Sequence, residues 1–184
     1  MSVHCNPIDE PMLRGCRIRS AHAGDANRLA VLATQVWLHT YATGGITDEI
    51  TEHVRSEFTP EKYLAALAEP ATRVLVAEQD GSLVGLAVVK FGAPCPSGAN
   101  ATTELQTLYV QEHFIGRGVG RALLQAAEAN AGEHAGSALW LTVNTKNARA
   151  ITFYAHVGYT KVGSTYFVLG EARHENHVLI GRGA

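Results

Sequence analysis

The sequence predicts an α/β (α+β) domain with a mixed central sheet of six to seven strands and helices on both faces. Three observations carry this expectation. Residues 103–110 are rich in Thr, Leu, Tyr and Val and lack Gly and Pro, as a strand requires. After a glycine-punctuated turn, apolar residues fall at Val119, Ala122, Leu123, Ala126 and Ala127, the i, i+3, i+4, i+7, i+8 stripe of an amphipathic helix. Asp80-Gly81 separates two Val- and Leu-rich runs, a hairpin signal. A further apolar run at 138–143 follows the helix, and a strand that returns through a helix pairs in parallel by the crossover rule.

In chain order, residues 1–15 carry Asn6-Pro7 and Glu10-Pro11 without a period and read as a loose N-terminal arm. A single domain is expected over 16–184. Residues 16–20 are its first strand. Asp25 caps a helix bearing Leu29, Leu32, Ala33, Val36 and Trp37, which ends before Gly44-Gly45. A second helix spans about 47–56. Thr59-Pro60 opens a third at 61–68, which Pro70 stops. Strands at 73–78 and 83–91 form the hairpin, and a loop with Pro94 and Pro96 leads from 92 to 101 into the strand at 103–110. A connector at 132–136 follows the glycine-loop helix. After the strand at 138–143, Asn147 is a good helix cap, with Ile151, Tyr154 and Ala155 on one face and Gly158 placed to end the helix. The chain closes with a strand at 166–169, a polar turn at 170–176 and a strand at 177–180.

Composition narrows the functional classes. A formal net charge of −2 and no basic cluster argue against a nucleic-acid footprint. The apolar runs, such as 83–89, are too short to span a bilayer, and the N-terminus lacks a secretory pattern. Cys5, Cys16 and Cys95 are odd in number and scattered, which fits a cytoplasmic protein better than a disulfide scaffold. His174 and His177 flank Glu175 and Asn176, but with no cysteine nearby and no helical spacing no metal site is expected.

Gly116, Gly118 and Gly120 open a helix directly after a strand, where unpaired N–H groups and the positive dipole end favour an anion, a phosphate above all. A P-loop would need a lysine and a hydroxyl that this turn lacks. A dinucleotide-binding turn would need an acid near the end of the next strand, which ends in Val143-Asn144 instead. The turn is similar to the pyrophosphate loop of the GNAT superfamily of N-acetyltransferases, Gln/Arg-x-x-Gly-x-Gly/Ala. Gly118 and Gly120 match both glycines, and Ile115 departs from Gln or Arg. The second GNAT motif, Asn-x-x-Ala-x-x-Phe-Tyr-x-x-x-Gly-Phe/Tyr, is matched from Asn147 through Ala150, Phe153, Tyr154 and Gly158 to Tyr159. Residues 41–70 resemble, more faintly, the spermidine-acetylating branch.

The resemblance implies acetyl-CoA as cosubstrate and a splay between the parallel strands four and five that admits its thioester. Leu108, Tyr109 and Val110 would offer backbone groups to the pantetheine arm, with Val110 N–H the donor to the thioester carbonyl. Ile115, Gly116, Arg117, Gly118, Val119, Gly120 and Arg121 would hold the pyrophosphate. Arg117 and Arg121 read equally as solvated arginines at a helix start. Asn147 would bond the pantetheine or order its helix. Glu104 matches the family's general base and Tyr154 its general acid, Glu104 otherwise being a solvent-facing strand carboxylate. The acceptor is expected to be a small primary amine or polyamine, because Asp48, Glu49, Glu52 and Glu57 lie near Trp37 and Tyr41 in the segment that selects acceptors in the family. The solvated face of a helix explains the same carboxylates. A protein N-terminus or lysine as acceptor, and a non-catalytic coenzyme-binding module, are the alternatives, and a homodimer is left open.

Overall fold

A computed structural model describes residues 15–135 and 138–181. In chain order it contains β1 (Cys16–Ser20), α1 (Ala26–Tyr41), α2 (Asp48–Glu57), α3 (Pro60–Ala68), β2 (Thr72–Gln79), β3 (Ser82–Phe91), β4 (Thr103–Val110), α4 (Val119–Ala135), β5 (Leu139–Asn144), α5 (Ala148–His156), β6 (Thr160–Leu169) and β7 (Ala172–Ile180). The expected arm at 1–15 lies almost wholly outside the described residues.

Local chemistry sets the boundaries. Asp80 and Gly81 both take positive φ, 49° and 76°, which the tight β2–β3 turn needs to match strand twist. The side chains of Thr47, Thr59 and Asn147 accept from Ile50, Lys62 and Ala150 N–H, capping α2, α3 and α5. The strand order is β1-β2-β3-β4-β5-β7-β6, antiparallel except for β4 with β5.

Alternation in the central strands splits the core between the two faces. Ala87, Val89, Leu105 and Leu141 face α4 and α5, packing on Val119, Leu123, Ala127 and Tyr154. Val74, Val76, Leu86 and Val88 face α1 and α3, packing on Leu29, Ala33 and Tyr63. A smaller cluster on that second side joins Trp140 and Val178 to Cys95 and Ala101 of the 92–101 loop. Among the described residues, no helix is long and apolar enough to cross a membrane, and Cys16 and Cys95 are free thiols.

The closing hairpin departs from expectation. β6 begins at Thr160 rather than 166, and β7 begins at Ala172, inside the stretch expected as a polar turn. β6 is the outer strand and is exposed along most of its length, so neither face imposes the apolar alternation by which a strand is read. Backbone pairing with β7 defines it instead. His174 and His177 stand three positions apart on β7 and so point to opposite faces.

Candidate active site

The parallel register of β4 and β5 lasts for two residue pairs, Thr103 with Leu139 and Glu104 with Trp140. Both strands continue, to Val110 and Asn144, so past Glu104 they part and leave a fork. A bulge contributes. On β3, Val89 faces Leu105 but Val88 faces Thr107, leaving Gln106 as the extra residue, and such an insertion bends and twists its strand.

Backbone direction in the fork follows from one bond. Gln111 N–H donates to the Val84 carbonyl at 2.9 Å. Because antiparallel pairs alternate in exchanging backbone bonds, Tyr109 and Thr107 bond to β3, while the N–H and C=O of Leu108 and Val110 turn toward the fork. Of the three residues expected to offer main-chain groups, Leu108 and Val110 turn theirs into the fork. The Tyr109 backbone is committed to Leu86, and its ring packs on the α1 and α3 side.

Past the end of β4 a one-turn helix at Glu112–Phe114 leads into the glycine loop. Gly116 and Gly118 have φ of 77° and 83°, in the left-handed region that side chains with a Cβ avoid. Ile115 N–H bonds to the Glu112 carbonyl at 3.2 Å and Ala122 N–H to the Gly118 carbonyl at 3.0 Å. Between them, the N–H groups of Gly116, Arg117, Gly118, Val119, Gly120 and Arg121 make no well-formed backbone hydrogen bond among the described residues. Six successive donors at the positive end of a four-turn helix suit a diphosphate. A Cβ on Gly120 would touch Val110 Cγ2 at 3.6 Å and Phe153 Cζ at 3.8 Å, so this glycine seats the loop between the end of β4 and α5. Arg117 lies over the Phe114 ring, 5.2 Å from its centroid. Arg121 lines a groove of about 350 Å³ between α4 and α5, with Gln125, Glu128 and His156.

Asn147 caps α5, its Oδ1 accepting from Ala150 N–H at 3.0 Å. One helical face brings Tyr154 back toward the sheet, where it is buried against Phe153 and Tyr159. Its hydroxyl has no hydrogen bond among the described residues, and burial, followed by the nearby Tyr41, raises the phenol well above the usual tyrosine value. It therefore keeps its proton at neutral pH, as an acid must. Tyr41 is a residue that sequence reasoning placed only loosely. At the end of α1 its phenol stands beside the Asn147 carboxamide, and it influences both Tyr154 and Tyr109. Side chains from opposite faces of the sheet thus meet at the fork. No spacing signal could have found this, because Tyr41 and Tyr154 belong to separate helices.

Glu104 sits at the closed end of the fork, half-buried, opposite Lys90 on β3. Burial raises its carboxyl, against a smaller opposing pull from Lys90. At about 3.4 Å per residue, Glu104 lies on the order of 13 Å from Leu108 and 20 Å from Val110 along the strand. A proton taken near those backbone groups would have to reach Glu104 through water. The carboxylates of α2 do not converge on the fork. Asp48, Glu49, Glu52 and Glu57 are exposed, Glu57 pairs with Lys62 at 2.7 Å, and Glu49 rests against Gly170 in the β6–β7 turn. The aromatic rings of this segment pack on one another. His53 lies 4.6 Å from Trp37 and 5.7 Å from Phe167, centroid to centroid. Next to Val110, in a small pocket that it lines with His39 and Arg149, Glu112 ties α1 to α5, bonding to His39 at 3.1 Å and to Arg149 at 3.1 Å.

Residues 37–159 match the model of the Acetyltransferase (GNAT) family. An uncharacterized N-acetyltransferase of Mycobacterium tuberculosis is 30% identical over 158 residues, covering 86% of this chain and 97% of that protein. The N-alpha-acetyltransferase RimI of the same species is 32% identical over 105 residues, 56% of this chain and 62% of the relative. Among solved structures, the PaiA N-acetyltransferase of Thermoplasma acidophilum in complex with coenzyme A superposes with a TM-score of 0.73 at 24% identity, covering 90% of this chain and 98% of that one.

Proposed function

The chain belongs to the GNAT family of acetyltransferases and is an acetyl-CoA-dependent enzyme of that family, and we propose that it acetylates a primary amine on a small molecule, a polyamine being the extended case. The observation that carries this reading is the fork itself. The backbone groups of Leu108 and Val110 turn into it, the glycine loop follows the end of β4, and the Tyr154 phenol on the α4 and α5 side keeps its proton and has no hydrogen-bond partner among the described residues, which together support this reading. The coenzyme supplies an acetyl group activated as a thioester. The residues of this chain bind it, orient it and handle two protons.

We assign to Val110 N–H the polarisation of the acyl carbonyl, a single-donor oxyanion device. An alkylammonium has a pKa near 10.4, so at neutral pH only about one molecule in a thousand is a free amine and a base is required. We assign that role to Glu104, acting through water that Gln106 helps to hold. Tyr154 keeps its proton on Oη for the departing sulfur. Among the described residues, Cys16 lies on β1, three strands from β4, and Cys95 is buried in the cluster with Ala101, which favours direct transfer over an acyl-enzyme. Free scattered thiols also support a cytoplasmic setting.

The likeness to an N-alpha-acetyltransferase supports a second reading, in which the acceptor is a protein N-terminus or lysine. Thiol release from acetyl-CoA, measured over polyamines, aminoglycosides, amino acids and peptides, separates the two. Turnover on small amines is expected. Turnover on peptides alone would reject the small-amine acceptor, and tight coenzyme binding with no turnover on anything would mark a non-catalytic module.

A further inference from the structure

Arg149 is the second residue of α5, and its Nη1 donates to both carboxylate oxygens of Glu112, at 3.2 and 3.1 Å. A guanidinium offers a planar fork of N–H donors, and those on Nε and Nη2 make no hydrogen bond among the described residues. The Arg149 side chain is 55% exposed and that of Glu112 41%, so a solute can reach the pair. Glu112 also bonds to His39 at 3.1 Å, which anchors on α1 the carboxylate that orients Arg149.

The pair stands beside the glycine loop. α4 follows β4 and α5 follows β5, and because those strands are parallel both helices begin at the same end of the sheet. In the first turn of α4, a Cβ on Gly120 would meet Val110 Cγ2 at 3.6 Å and Phe153 Cζ at 3.8 Å. Arg149 lies four residues before Phe153, so it stacks over that ring on the same face of α5, one turn nearer the end of the sheet. Helical side chains lean toward the N-terminus of their helix, which carries the guanidinium further in that direction. The free N–H groups that open α4 point the same way, out along the helix axis. Arg149 therefore flanks the place where those donors would meet an anion.

A diphosphate ester carries a negative charge on each phosphate, and helix-end dipoles offset only part of it. The loop's own side chains add little that is aimed at it: Ile115 is apolar, Arg117 lies over the Phe114 ring, and Arg121 lines the α4–α5 groove with Glu128. Resting on the reading that the glycine loop binds the coenzyme, we propose that Arg149 is a ligand of the coenzyme's diphosphate, its unpaired N–H donors taking phosphate oxygens while Nη1 stays with Glu112. Planar, forked donors suit phosphate, and a charge-assisted bond of this kind is stronger than a neutral one. Arg149 thus supplies from α5 the side-chain contact that Ile115, standing where the pyrophosphate motif has Gln or Arg, does not supply from the loop.

The test titrates coenzyme A into the full chain by calorimetry. Arg149→Gln should weaken binding by about tenfold or more, the scale of a lost hydrogen bond to a charged group. Arg149→Lys, which keeps the charge but not the fork, should fall between that variant and the wild type. Glu112→Gln breaks the same ion pair yet takes a negative charge away from the phosphates, so it should bind coenzyme A at least as tightly as the wild type. Dephospho-coenzyme A, which lacks the ribose phosphate, separates the two kinds of phosphate: the loss in Arg149→Gln should persist with it. Melting temperatures should stay within about 2 °C, because an exposed ion pair contributes little to folding. Equal losses from Arg149→Gln and Glu112→Gln would overturn the proposal and mark the pair as a strut between α1 and α5, as would an Arg149→Gln chain that melts well below the wild type. A loss that vanishes with dephospho-coenzyme A would overturn the assignment to the diphosphate. A wild-type chain without affinity for coenzyme A overturns the coenzyme reading and this inference with it, whereas wild-type affinity that Arg149→Gln leaves intact overturns the inference alone.

Discussion

Glu104 and Trp140 are the last residues of β4 and β5 to stand opposite one another. Everything proposed for the site depends on that pair. It places the candidate base at the closed end of the fork and leaves the Leu108 and Val110 backbone free further along. If Glu104 acts through water, Glu104→Gln should lower kcat/KM by about a hundredfold at neutral pH, with the loss shrinking as pH rises and free amine becomes abundant. A pH–rate profile of unchanged shape would move the base elsewhere.

The same residue makes a stability prediction of defined sign. Burial raises the folded-state pKa of Glu104, so the folded state binds its proton more tightly than the unfolded chain does. The associated stability is fully present below the ordinary glutamate pKa of about 4.3 and is lost as pH rises through the raised value. Glu104→Gln should therefore melt at or above the wild type at neutral pH, with the difference disappearing in acid. Differential scanning at both ends of that range checks it.

Tyr154→Phe keeps the packing against Phe153 and Tyr159 and removes only the hydroxyl. Turnover should fall by about a hundredfold, the usual scale for a positioned acid, while coenzyme affinity by calorimetry stays within about twofold. Unchanged turnover would reject the acid role.

Gly118 holds a φ of 83°, which an alanine adopts only with strain. Gly118→Ala should cost about 1 kcal/mol and lower the melting temperature by roughly 2–4 °C. Coenzyme affinity should fall about tenfold, because relief of the strain re-aims the loop N–H groups. Melting that falls while affinity holds would mean that the loop donors do not grip the phosphates.

Away from the fork, Asp25 is fully buried and accepts from Arg19 at 2.7 and 3.0 Å, from Arg28, and from His22 N–H at 3.0 Å. The Arg19 guanidinium, as the largest influence, holds its carboxyl far below the usual carboxylate range. With a depressed folded pKa, its stabilisation is present above the unfolded value of about 3.9 and is lost as pH falls below it. Asp25→Ala leaves Arg19 paired with Glu78 alone, takes the acceptor from Arg28 and His22 N–H, and should cost about 3 kcal/mol. Melting should drop by roughly 10 °C at pH 7, and the gap should narrow in strong acid.

Much of this was legible in the amino-acid order, because it is local. Asp80-Gly81 meets a turn geometry within its own residues, Asn147 reaches the N–H three positions on, and Gly116 and Gly118 take the backbone angles that only glycine adopts freely. Apolar periods marked α1, α4 and the central strands, and the two motifs pointed to the family. The β6–β7 hairpin was drawn too short, since an outer strand exposed along most of its length has no period to read.

What the tertiary structure alone decided is which side chains share an opening. The two-residue register of β4 on β5 made the fork, and the bond from Gln111 to Val84 chose Leu108 and Val110 over Tyr109 as its donors. It left the α2 carboxylates in solvent and brought Tyr41 beside Asn147. The physical reason is the same in each case. Chain order determines the conformations that neighbours can adopt, whereas a meeting of residues a hundred positions apart depends on strand register, and a shift of one residue would turn each of those side chains to the opposite face.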